Sequence, residues 1–501
     1  MGIRSILSKP IAKWVVNNQK KWSLNPGKFQ SRLFKKLIKS GSNTQFGRDH
    51  NFDQIHNHAD FVQHVPIRDY EELKPYINEI LKGRKDVLWP GKPAYLAKTS
   101  GTTSGVKYIP ITKDSIPNHI NSARNALLSY VNETGNSTFL DKKLIFLSGS
   151  PTLTYTAGIP TGRLSGIVNH LIPAYLKSNQ LPSYPINCVE DWEQKINQIV
   201  LETENQDLSL ISGIPPWVQM YFDKLVTRKD KSIKDIFPNF SLFVFGGVSF
   251  DPYQKKLYET IGKTIDSIET YPASEGFIAY QDSQASKGLL LLSNSGIFFE
   301  FIAASDFYNE SRKRLSLEEV EIGINYAIIL NSNAGLWGYA IGDTVKFLST
   351  YPHRIIVTGR IKHFISAFGE HVIGEEVEKA MKLTCQKFPE TELIEYTVAP
   401  QVTPASGLPL HEWYIAFAQR PHDLSAFKNE LNLNMQQLNS YYNDLIKGSV
   451  LDPLQVVMLK ADAYIKYMKS IGKLGGQNKV PRLSNDRKIV EALQSFKEKQ
   501  N

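Results

Sequence analysis

Apolar residues recur at helical spacing over residues 1 to about 90. The segment PGKFQSRLFKKLIKSG places them three and four positions apart and stops at Gly41. The segment IRDYEELKPYINEILKG repeats the pattern, with Asp69 as its predicted N-cap. These patterns predict a helical N-terminal region.

Short apolar runs then alternate with helical patterns. The runs PAYLA, KLIFLSGS, LSLISGIPP and SLFVFGGVSF read as strands, and most are followed by Gly, Ser or Pro, whereas PYQKKLYETIG has helical spacing. Such alternation is typical of an α/β protein. Ligands of open α/β sheets bind beyond the carboxyl ends of the strands, so the Gly-rich ends of these runs are the places to search for a site.

The pattern changes twice more toward the C-terminus. From about 287 to 358 it is strand-rich, with GLLLLSNSGIFFEFI, EEVEIGINYAIIL, GLWGYAIGDTVKFLS and YPHRIIVTGR. A helix (GEEVEKAMKLTCQKF), two strands (IEYTVAPQ and EWYIAFAQ) and long helices follow. We therefore predict a domain boundary near residue 360.

Length and composition agree with a globular protein of more than one domain. The chain has 501 residues, of which 42% are hydrophobic and 21% charged. The net charge of +9 comes from scattered basic residues without a nucleic-acid-binding motif, which favours solvated helix faces over a nucleic-acid site. The two cysteines, Cys188 and Cys385, are far apart and favour neither a disulfide framework nor a zinc site. No run of about 18 apolar residues exists, so we expect no membrane span and a cytoplasmic protein.

The segment KTSGTTSGVK, residues 98–107, is the first candidate for chemistry. Glycines allow backbone N–H groups to converge on an anion, Ser and Thr add hydroxyl donors, and a lysine adds positive charge. The segment lacks the Walker A pattern, and a plain turn between two strands is the alternative interpretation. The candidate phosphate-binding residues are Thr99, Ser100, Gly101, Thr102, Thr103, Ser104, Gly105 and Lys107.

Three later segments add candidates, each of which alone is more often an ordinary turn. YPASEG contains Glu275, an oxygen ligand of the kind that Mg²⁺ prefers. GYAIGD ends on Asp343, which at the end of a strand would accept hydrogen bonds from ribose hydroxyls. The segment 359–380 begins with a Gly-Arg pair and leads through a glycine turn into a helix.

The order of these four segments resembles the adenylate-forming enzymes. Within that superfamily, KTSGTTSGVKYIPIT, YPASEG, FISAFGEHVIGEEVE and GKLGGQNKVPRL are similar to the acyl-acid amido synthetase family. This family is named for auxin-responsive genes of plants and also occurs in bacteria, and the shorter bacterial type is the better match. The resemblance extends over nearly the whole chain.

The resemblance implies a reaction in two steps. Such enzymes use ATP and Mg²⁺ to convert a carboxylic acid into an acyl-adenylate, and then transfer the acyl group to an amine, commonly an amino acid. It also implies a large N-terminal adenylate-forming domain of mixed sheets and helices over residues 1–358. A hinge over 359–364 and a smaller α+β C-terminal lid over 365–501 would follow, and this lid often rotates between the steps. Oligomerisation is not implied, and we expect a monomer.

The resemblance also implies roles for individual residues. Glu275 would bind Mg²⁺, Asp343 would hold the ribose, and Tyr271 would stack on adenine or else be a core aromatic residue. Lys479 would reach the α-phosphate, with Lys473 as its competitor. The other implied nucleotide-binding residues are Gly246 and Gly247 near adenine, Ser274 beside the metal ligand, and Arg360 near ribose or phosphate.

The acyl pocket is only weakly marked. TYTAGIPTGRLSG, residues 154–166, either lines the pocket, with Arg163 meeting a substrate carboxylate, or is a surface loop. Trp217 and Tyr221 are either pocket wall or core, and His371 near the hinge is more often structural than catalytic.

Three alternative functions stay open at this point. A CoA ligase of the same superfamily is disfavoured, because its loop usually continues with Pro-Lys-Gly where this chain reads GVKYIP. A regulatory protein that binds nucleotide without turnover is the second alternative. A nucleic-acid-binding protein, supported only by the net charge, is the third.

Overall fold

The structure is a computed structural model of the chain. It describes residues 2–100, 106–172, 177–247, 250–309, 311–361, 364–365, 372–448, 450–474, 480–484 and 487–498. Residues 101–105 of the predicted phosphate loop, His371 and Lys479 lie outside these ranges. The side chain of Ser100 is also outside the description.

The N-terminal region is helical, as its hydrophobic spacing predicts. Asp69 is the N-cap of one helix, where its carboxylate accepts hydrogen bonds from the backbone N–H groups of Glu71 at 2.9 Å and Glu72 at 3.2 Å. The Glu72 carboxylate in turn accepts a hydrogen bond from the Asp69 N–H at 2.8 Å, which completes a capping box. The helices here are Ile3–Ser23, Pro26–Gly41, Gln45–Asp49, His58–His64 and Tyr70–Leu81, with a 3₁₀ turn at Phe52–Gln54.

The described part of the chain contains twenty strands. In chain order they are β1 (Tyr95–Ser100), β2 (Val106–Ile111), β3 (Lys143–Phe146), β4 (Thr154–Thr156), β5 (Ile159–Gly162), β6 (Gln180–Leu181), β7 (Leu208–Ser212), β8 (Leu242–Gly246), β9 (Asp266–Ala273), β10 (Gly276–Tyr280), β11 (Leu289–Leu291), β12 (Ile297–Ala303), β13 (Asn325–Ser332), β14 (Tyr339–Thr350), β15 (His353–Arg360), β16 (Phe364–Ile365), β17 (Val372–Ile373), β18 (Glu392–Gln401), β19 (Leu410–Gln419) and β20 (Gln455–Leu459).

Further helices lie between and after these strands. They are Ile116–Thr134, Leu164–Leu171, Tyr184–Asn187, Trp192–Thr203, Pro215–Lys229, Ile233–Ile236, Asp251–Ile261, Gly374–Lys387, Leu424–Leu438, Ser440–Lys447, Ala463–Ser470 and Lys488–Leu493, with 3₁₀ turns at Thr138–Asp141, Ala304–Asp306 and Gln494–Phe496.

The largest sheet has eleven strands in the order β12-β13-β14-β15-β11-β10-β9-β8-β7-β3-β6. The strands from β9 to β6 run parallel to one another, whereas β9 pairs antiparallel with β10. The strand β9 is therefore the junction between a parallel half and an antiparallel half. The carboxyl ends of β3, β7, β8 and β9 share one edge, which is where the rule for open sheets directs the search for ligands.

A smaller sheet has the order β2-β1-β5-β4. Its strands β1 and β2 are antiparallel, and Ser100 pairs with Val106, so the predicted phosphate loop connects two hydrogen-bonded strands. The strand β5 runs parallel to β1, with Ala97 opposite Gly162.

Two strand predictions need correction. EEVEIGINYAIIL is a strand only from Asn325 onward, because the preceding residues form turns that end in an isolated bridge from Ile322 to Phe347. The sequence QVVML was missed and forms β20, which pairs parallel with the buried strand β19. Only this tertiary pairing separates so short an apolar run from a loop.

The entry of the chain into β14 depends on Gly338. Its φ is +57°, and a β-carbon there would lie 2.5 Å from the carbonyl oxygen of Pro66. The Gly338 N–H donates to Asn331 Oδ1 at 2.6 Å, and its carbonyl accepts from the Arg68 N–H at 2.8 Å. A side chain would disturb all of these contacts.

We expect Gly338→Ala to lower the free energy of unfolding by about 2–3 kcal/mol, because it adds a steric clash to an unfavourable φ. The matched control is Gly323→Ala, since Gly323 has φ +86° but no atom within 4 Å of an added β-carbon. The control should lose only about 1 kcal/mol in the same urea unfolding experiment. Equal losses in the two variants would contradict the role of the Pro66 contact.

The chain divides into two compact units. One comprises residues 1–249 and 257–357, and the other comprises residues 250–256 and 358–501. The second unit contains the sheet β18-β19-β20, whose core includes Trp413, Tyr396 and Phe427. The assignment of an adenylation domain, a hinge and a lid to particular bounds stays a prediction. Within the described ranges, no helix is at once long enough and apolar enough to cross a bilayer.

Candidate active site

Glu275 lies in a tight turn between β9 and β10. Ala273 pairs with Gly276, so Ser274 and Glu275 alone form the connection of a two-residue hairpin. Both turn residues are partly buried. The hairpin therefore presents a carboxylate at the carboxyl edge of the parallel strands.

Asn118 fixes this hairpin from the helix Ile116–Thr134. Its side-chain amide donates to the carbonyl of Phe277 at 2.9 Å and accepts from the N–H of the same residue at 2.6 Å. The helix follows β2 along the chain, and its Asn118 amide joins it to the strand after Glu275. Asn118 is buried, and its two bonds leave neither backbone group of Phe277 unsatisfied.

Tyr339, the first residue of β14, faces the Glu275 carboxylate. Its hydroxyl donates to Glu275 Oε1 over 3.5 Å, a long contact. Burial raises the pKa of Tyr339 well above its ordinary value, and the negative charge of Glu275 adds to the effect. The hydroxyl therefore stays protonated beside the carboxylate.

Asp343 accepts a hydrogen bond of 2.7 Å from the Tyr271 hydroxyl. The prediction that Asp343 ends a strand is wrong, since it is the fifth of the twelve residues of β14. The pairing of β14 with β13 is irregular at this point: Ala327 pairs with Thr344 and Ile329 with Ala340, which leaves Asp343 within a bulge. Both a bulge and the end of a strand change the direction of a side chain. The Gly-Asp pattern alone does not distinguish a bulge from a strand end.

The contact between Tyr271 and Asp343 requires the sheet to curl. Four strand spacings separate β9 from β14 in the sheet order, which amounts to about 19 Å in a flat sheet. Side chains of tyrosine and aspartate cannot span that distance. The antiparallel half must therefore turn back toward β9, and the two cross-links, Tyr271 to Asp343 and Tyr339 to Glu275, lie where it does so.

Tyr271 is only 7% exposed and belongs to the main hydrophobic core. Its contact with the candidate site is the hydrogen bond from its hydroxyl to Asp343. Stacking of its ring on adenine stays a prediction.

Gly246, at the end of β8, has a structural reason to be glycine. A β-carbon there would lie 2.5 Å from the Thr270 carbonyl oxygen on the neighbouring strand. Gly247 follows it at the exposed carboxyl edge. The close approach of β9 accounts for Gly246 without a ligand, and room for adenine beside the two glycines stays a prediction.

The strand β2, which follows the predicted phosphate loop, contacts the helix that Asp69 caps. The Tyr70 hydroxyl accepts a hydrogen bond from the Tyr108 N–H at 2.8 Å, and Lys107 Nζ lies 5.3 Å from the centre of the Tyr70 ring. Thr99 is paired with Lys107 across β1 and β2. Tyr70 also adds to the raised pKa of Tyr339.

The predicted acyl segment forms a second hairpin. Thr156 pairs with Ile159, and β5 lies beside β1, so this segment belongs to the sheet that carries the predicted phosphate loop. Trp217 and Tyr221 are both buried; the Trp217 ring packs 4.6 Å from that of Trp192, and the Tyr221 hydroxyl bonds to Thr203 at 2.7 Å. These contacts are those of core residues.

Two further predicted residues, Arg360 and Lys473, belong to the second unit. Arg360 is exposed at the end of β15, where the predicted hinge begins. The backbone N–H of Lys473 donates to the Met468 carbonyl at 2.8 Å. The choice between Lys479 and Lys473 stays open, because Lys479 is not among the described residues.

A metal would find a single carboxylate at the hairpin. The described residues hold no group of three or more His, Cys, Asp or Glu side chains that could enclose an ion. A partly buried carboxylate alone suits Mg²⁺, which commonly takes one or two protein carboxylates and completes its shell with phosphate oxygens and water. Glu275 is compatible with that mode and not with an all-protein cage.

Sequence reasoning missed Asn118 and Tyr339. Their partners lie 159 and 64 residues away along the chain, and neither residue belongs to a pattern that marks chemistry. For Tyr339, the one available indication was its position in GYAIGD, four residues before Asp343.

Comparison with known proteins identifies the family. Residues 15–201 match the GH3 family N-terminal domain, residues 290–360 the GH3 family central domain, and residues 375–488 the GH3 family C-terminal domain. These three domains of one family together cover most of the chain. The chain belongs to the GH3 family.

The GH3 assignment agrees with individual relatives. The chain is 22% identical over 536 residues to the jasmonoyl--L-amino acid synthetase JAR6 of Nicotiana attenuata, covering 91% of this chain and 90% of that protein. The solved GH3.15 acyl acid amido synthetase has 16% identity and a TM-score of 0.80, covering 97% of this chain and 96% of that one. The predicted resemblance to the auxin-responsive family is thereby confirmed.

The fold class is also confirmed. A solved 2-hydroxyisobutyryl-CoA ligase, in the postadenylation state in complex with 2-HIB-AMP, has a TM-score of 0.61 at 12% identity, covering 96% of this chain and 92% of that one. At this identity the likeness concerns the fold alone. This GH3 protein thus has the mixed α/β fold of the adenylate-forming enzymes, with a large N-terminal and a smaller C-terminal part.

Proposed function

We propose that this GH3 protein is an ATP-dependent acyl-acid amido synthetase. It adenylates a carboxylic acid, releases pyrophosphate, and transfers the acyl group to the amine of an acceptor, in the simplest case an amino acid. The observation that carries the proposal is the convergence of Glu275, Tyr339, Tyr271 and Asp343 where the curled sheet returns to β9. We also propose that it acts as a cytoplasmic monomer.

The first step brings two anions together, because a carboxylate must attack the α-phosphate of ATP. The N–H and hydroxyl groups of residues 99–105 and the charge of Lys107 would hold the phosphates. Asp343, which accepts from the Tyr271 hydroxyl, would also accept hydrogen bonds from the ribose hydroxyls. Such contacts would fix the α-phosphate relative to the bound acid.

Glu275 would hold Mg²⁺ at the edge of the hairpin. When bound, the ion supplies positive charge to phosphate oxygens and lowers the cost of bringing a second anion close. Asn118 holds the backbone of the hairpin at Phe277, and the Tyr339 hydroxyl lies 3.5 Å from the Glu275 carboxylate. A carboxylate held in advance needs no reordering as the nucleotide binds.

The second step replaces the adenylate with the amine. Its nitrogen attacks the acyl carbonyl, the bond from that carbon to the AMP oxygen breaks, and the nitrogen loses a proton. We propose that residues 359–364 act as a hinge and that Lys479 serves the first step from the C-terminal part. A hinge needs only a few residues that absorb a change in φ and ψ.

A CoA ligase is the second candidate, since a ligase of that type shares the fold. The two reactions have the same first step and differ in the acceptor, a thiol or an amine. An assay that offers both acceptors to the same adenylated acid separates them. Thioester formation without amide would overturn the proposal.

The direct test is acid-dependent ATP–pyrophosphate exchange with Mg²⁺ and a panel of aryl, indole and aliphatic acids. We expect exchange with one class of acid, followed by AMP release and amide formation when amines are screened. Tight ATP binding without exchange across the whole panel would favour the regulatory alternative instead.

The pair Tyr271–Asp343 gives a matched variant experiment. We expect Asp343→Asn to raise the KM for ATP by about 10- to 100-fold, because it removes a charged acceptor of hydrogen bonds. The control is Asp266→Asn at the opposite end of β9, where Asp266 accepts from Tyr130 at 2.6 Å in another tyrosine–aspartate bond. An unchanged KM in Asp343→Asn, or an equal rise in the control, would contradict the assignment of Asp343 to the nucleotide.

A further inference from the structure

Arg163 directly follows β5 and is exposed. Among the described residues, no hydrogen bond or ion pair engages its guanidinium. Arg163 is the N-cap residue of the helix Leu164–Leu171, but its side chain makes no capping bond. An arginine on an ordinary solvated surface would fit this description too. Its surroundings set it apart.

The backbone next to Arg163 leads into the predicted phosphate loop. Gly162 pairs in parallel with Ala97 of β1, so Arg163 lies beside Lys98. The strand β1 ends two residues later at Ser100. Because the two strands run in the same direction, Arg163 leaves the sheet at the edge from which the predicted loop departs.

The Arg163 side chain also lies on the carboxyl edge of the main sheet. Gly149 follows β3, and a β-carbon on it would lie 2.9 Å from Cδ of Arg163. The stem of the arginine therefore packs against the backbone at Gly149. The strand β3 is three spacings from β9, about 14 Å, so Arg163 is at the edge that carries Glu275 but at a distance from it.

Lys195 holds the backbone next to Gly149, on which the Arg163 side chain packs. Its ammonium group donates to the carbonyl oxygens of Ser148 at 2.8 Å and Asn187 at 2.7 Å, and its side chain is 2% exposed. Burial lowers the pKa of Lys195 to about 8, opposed by Cys188 and reinforced by the positive charge of Arg163. The backbone under Arg163 is thus fixed, and two positive charges lie near each other.

We infer that Arg163 binds a substrate carboxylate other than the one that is adenylated. A guanidinium pairs with a carboxylate through two parallel hydrogen bonds, which gives both affinity and orientation. This inference rests on the proposed function. The carboxylate belongs either to the acceptor amino acid or to a second acid group of the acyl substrate, and the experiment separates these sources.

The test compares the parent, Arg163→Gln and Arg163→Lys, with Arg32→Gln as the control at an exposed arginine of the helix Pro26–Gly41. For the acceptor, amide formation is measured with alanine and with alaninamide, which lacks the carboxylate. For the acyl acid, exchange is measured with matched monocarboxylic and dicarboxylic acids. Thermal unfolding of each variant checks the fold.

We expect Arg163→Gln to lose about 10- to 100-fold in kcat/KM for the substrates that carry the extra carboxylate. The substrates without it should be used as well as by the parent. Arg163→Lys should recover part of the loss, because lysine keeps the positive charge but cannot form the two parallel hydrogen bonds of a guanidinium. A loss with alanine alone identifies the acceptor as the source, and a loss with the dicarboxylic acid alone identifies the acyl substrate.

Equal rates of the parent and Arg163→Gln with every substrate would overturn the inference. An equal loss with and without the extra carboxylate would overturn it too, since that is the result of a structural role. Absence of exchange in the parent would instead be a failure of the proposed function. Calorimetric binding of alanine and of the dicarboxylic acids to the parent and Arg163→Gln then decides the inference without turnover, and equal affinities would reject it.

Discussion

Glu275→Gln is expected to lower acid-dependent ATP–pyrophosphate exchange by about 100-fold or more. The substitution keeps the shape of the side chain and removes the negative charge that would hold Mg²⁺. Loss of one preorganised electrostatic contact at a reacting centre typically costs two to three orders of magnitude in rate. The measurement is the exchange rate at saturating acid and ATP over a range of Mg²⁺ concentrations.

Two further variants make this prediction specific. Tyr339→Phe removes the hydroxyl that contacts Glu275 and leaves the charge, so we expect a loss of about 10-fold or less. Glu133→Gln is the control, because that carboxylate accepts bonds of 2.6 Å from Ser283 and Gln284 away from the hairpin turn. The assignment of Glu275 fails if Glu275→Gln retains exchange within two-fold of the parent.

Glu300→Gln is expected to lower the free energy of unfolding of the N-terminal unit by about 3–5 kcal/mol. Glu300 is fully buried in β12, and its oxygens accept bonds from Arg314 at 2.9 and 2.6 Å, His58 at 2.8 Å and Asn331 at 2.7 Å. Removing its charge leaves the buried guanidinium of Arg314 uncompensated. Asn331 also holds the N–H of Gly338, so the damage should extend to the start of β14.

The matched control is the neighbouring exposed pair. Lys313 and Glu319 lie 3.2 Å apart with side chains 74% and 42% exposed, so Glu319→Gln should change the free energy of unfolding by less than about 1 kcal/mol. Urea unfolding of both variants at neutral pH gives the comparison. Similar losses in the two would show that burial of the Glu300–Arg314 pair is not what stabilises the unit.

Acid titration adds a second check on Glu300. Burial raises the pKa of this carboxyl, but the charge and bonds of Arg314 and the bond from His58 outweigh it and lower the pKa to about 2 from an ordinary value of 4.5. Its contribution to stability is therefore complete above pH 4.5 and is lost as the pH falls through about 2. The difference between the parent and Glu300→Gln should shrink over that interval, and a difference independent of pH would contradict this account.

Local patterns were enough for most elements of the fold. The helix Pro26–Gly41 and the capping box of Asp69 depend on residues within a few positions of one another. Turn-forming residues between apolar runs also indicated the hairpin at Ser274 and Glu275 and the two glycines at the end of β8. Such features are set by neighbours in the sequence, so a single chain reveals them.

The environment of Asp343 shows where local patterns end. A Gly-Asp pair after an apolar run is typical of a strand that stops, whereas here β14 continues to Thr350. The strand continues because β13 pairs with it on both sides of the bulge. That partner lies outside any local window, and the irregularity has no pattern of its own.

The sequence by itself determined most of the elements, the order of the chemical motifs and the family. Only the tertiary structure decided that Tyr271 meets Asp343, that Tyr339 meets Glu275, and that Asn118 clamps the hairpin between them. The physical reason is that these contacts arise from the curl of an eleven-stranded sheet, which returns β14 to β9 across about 19 Å of strand spacing. The curl of a sheet accumulates from the twist between many pairs of strands, so it cannot be predicted from any short segment of the sequence.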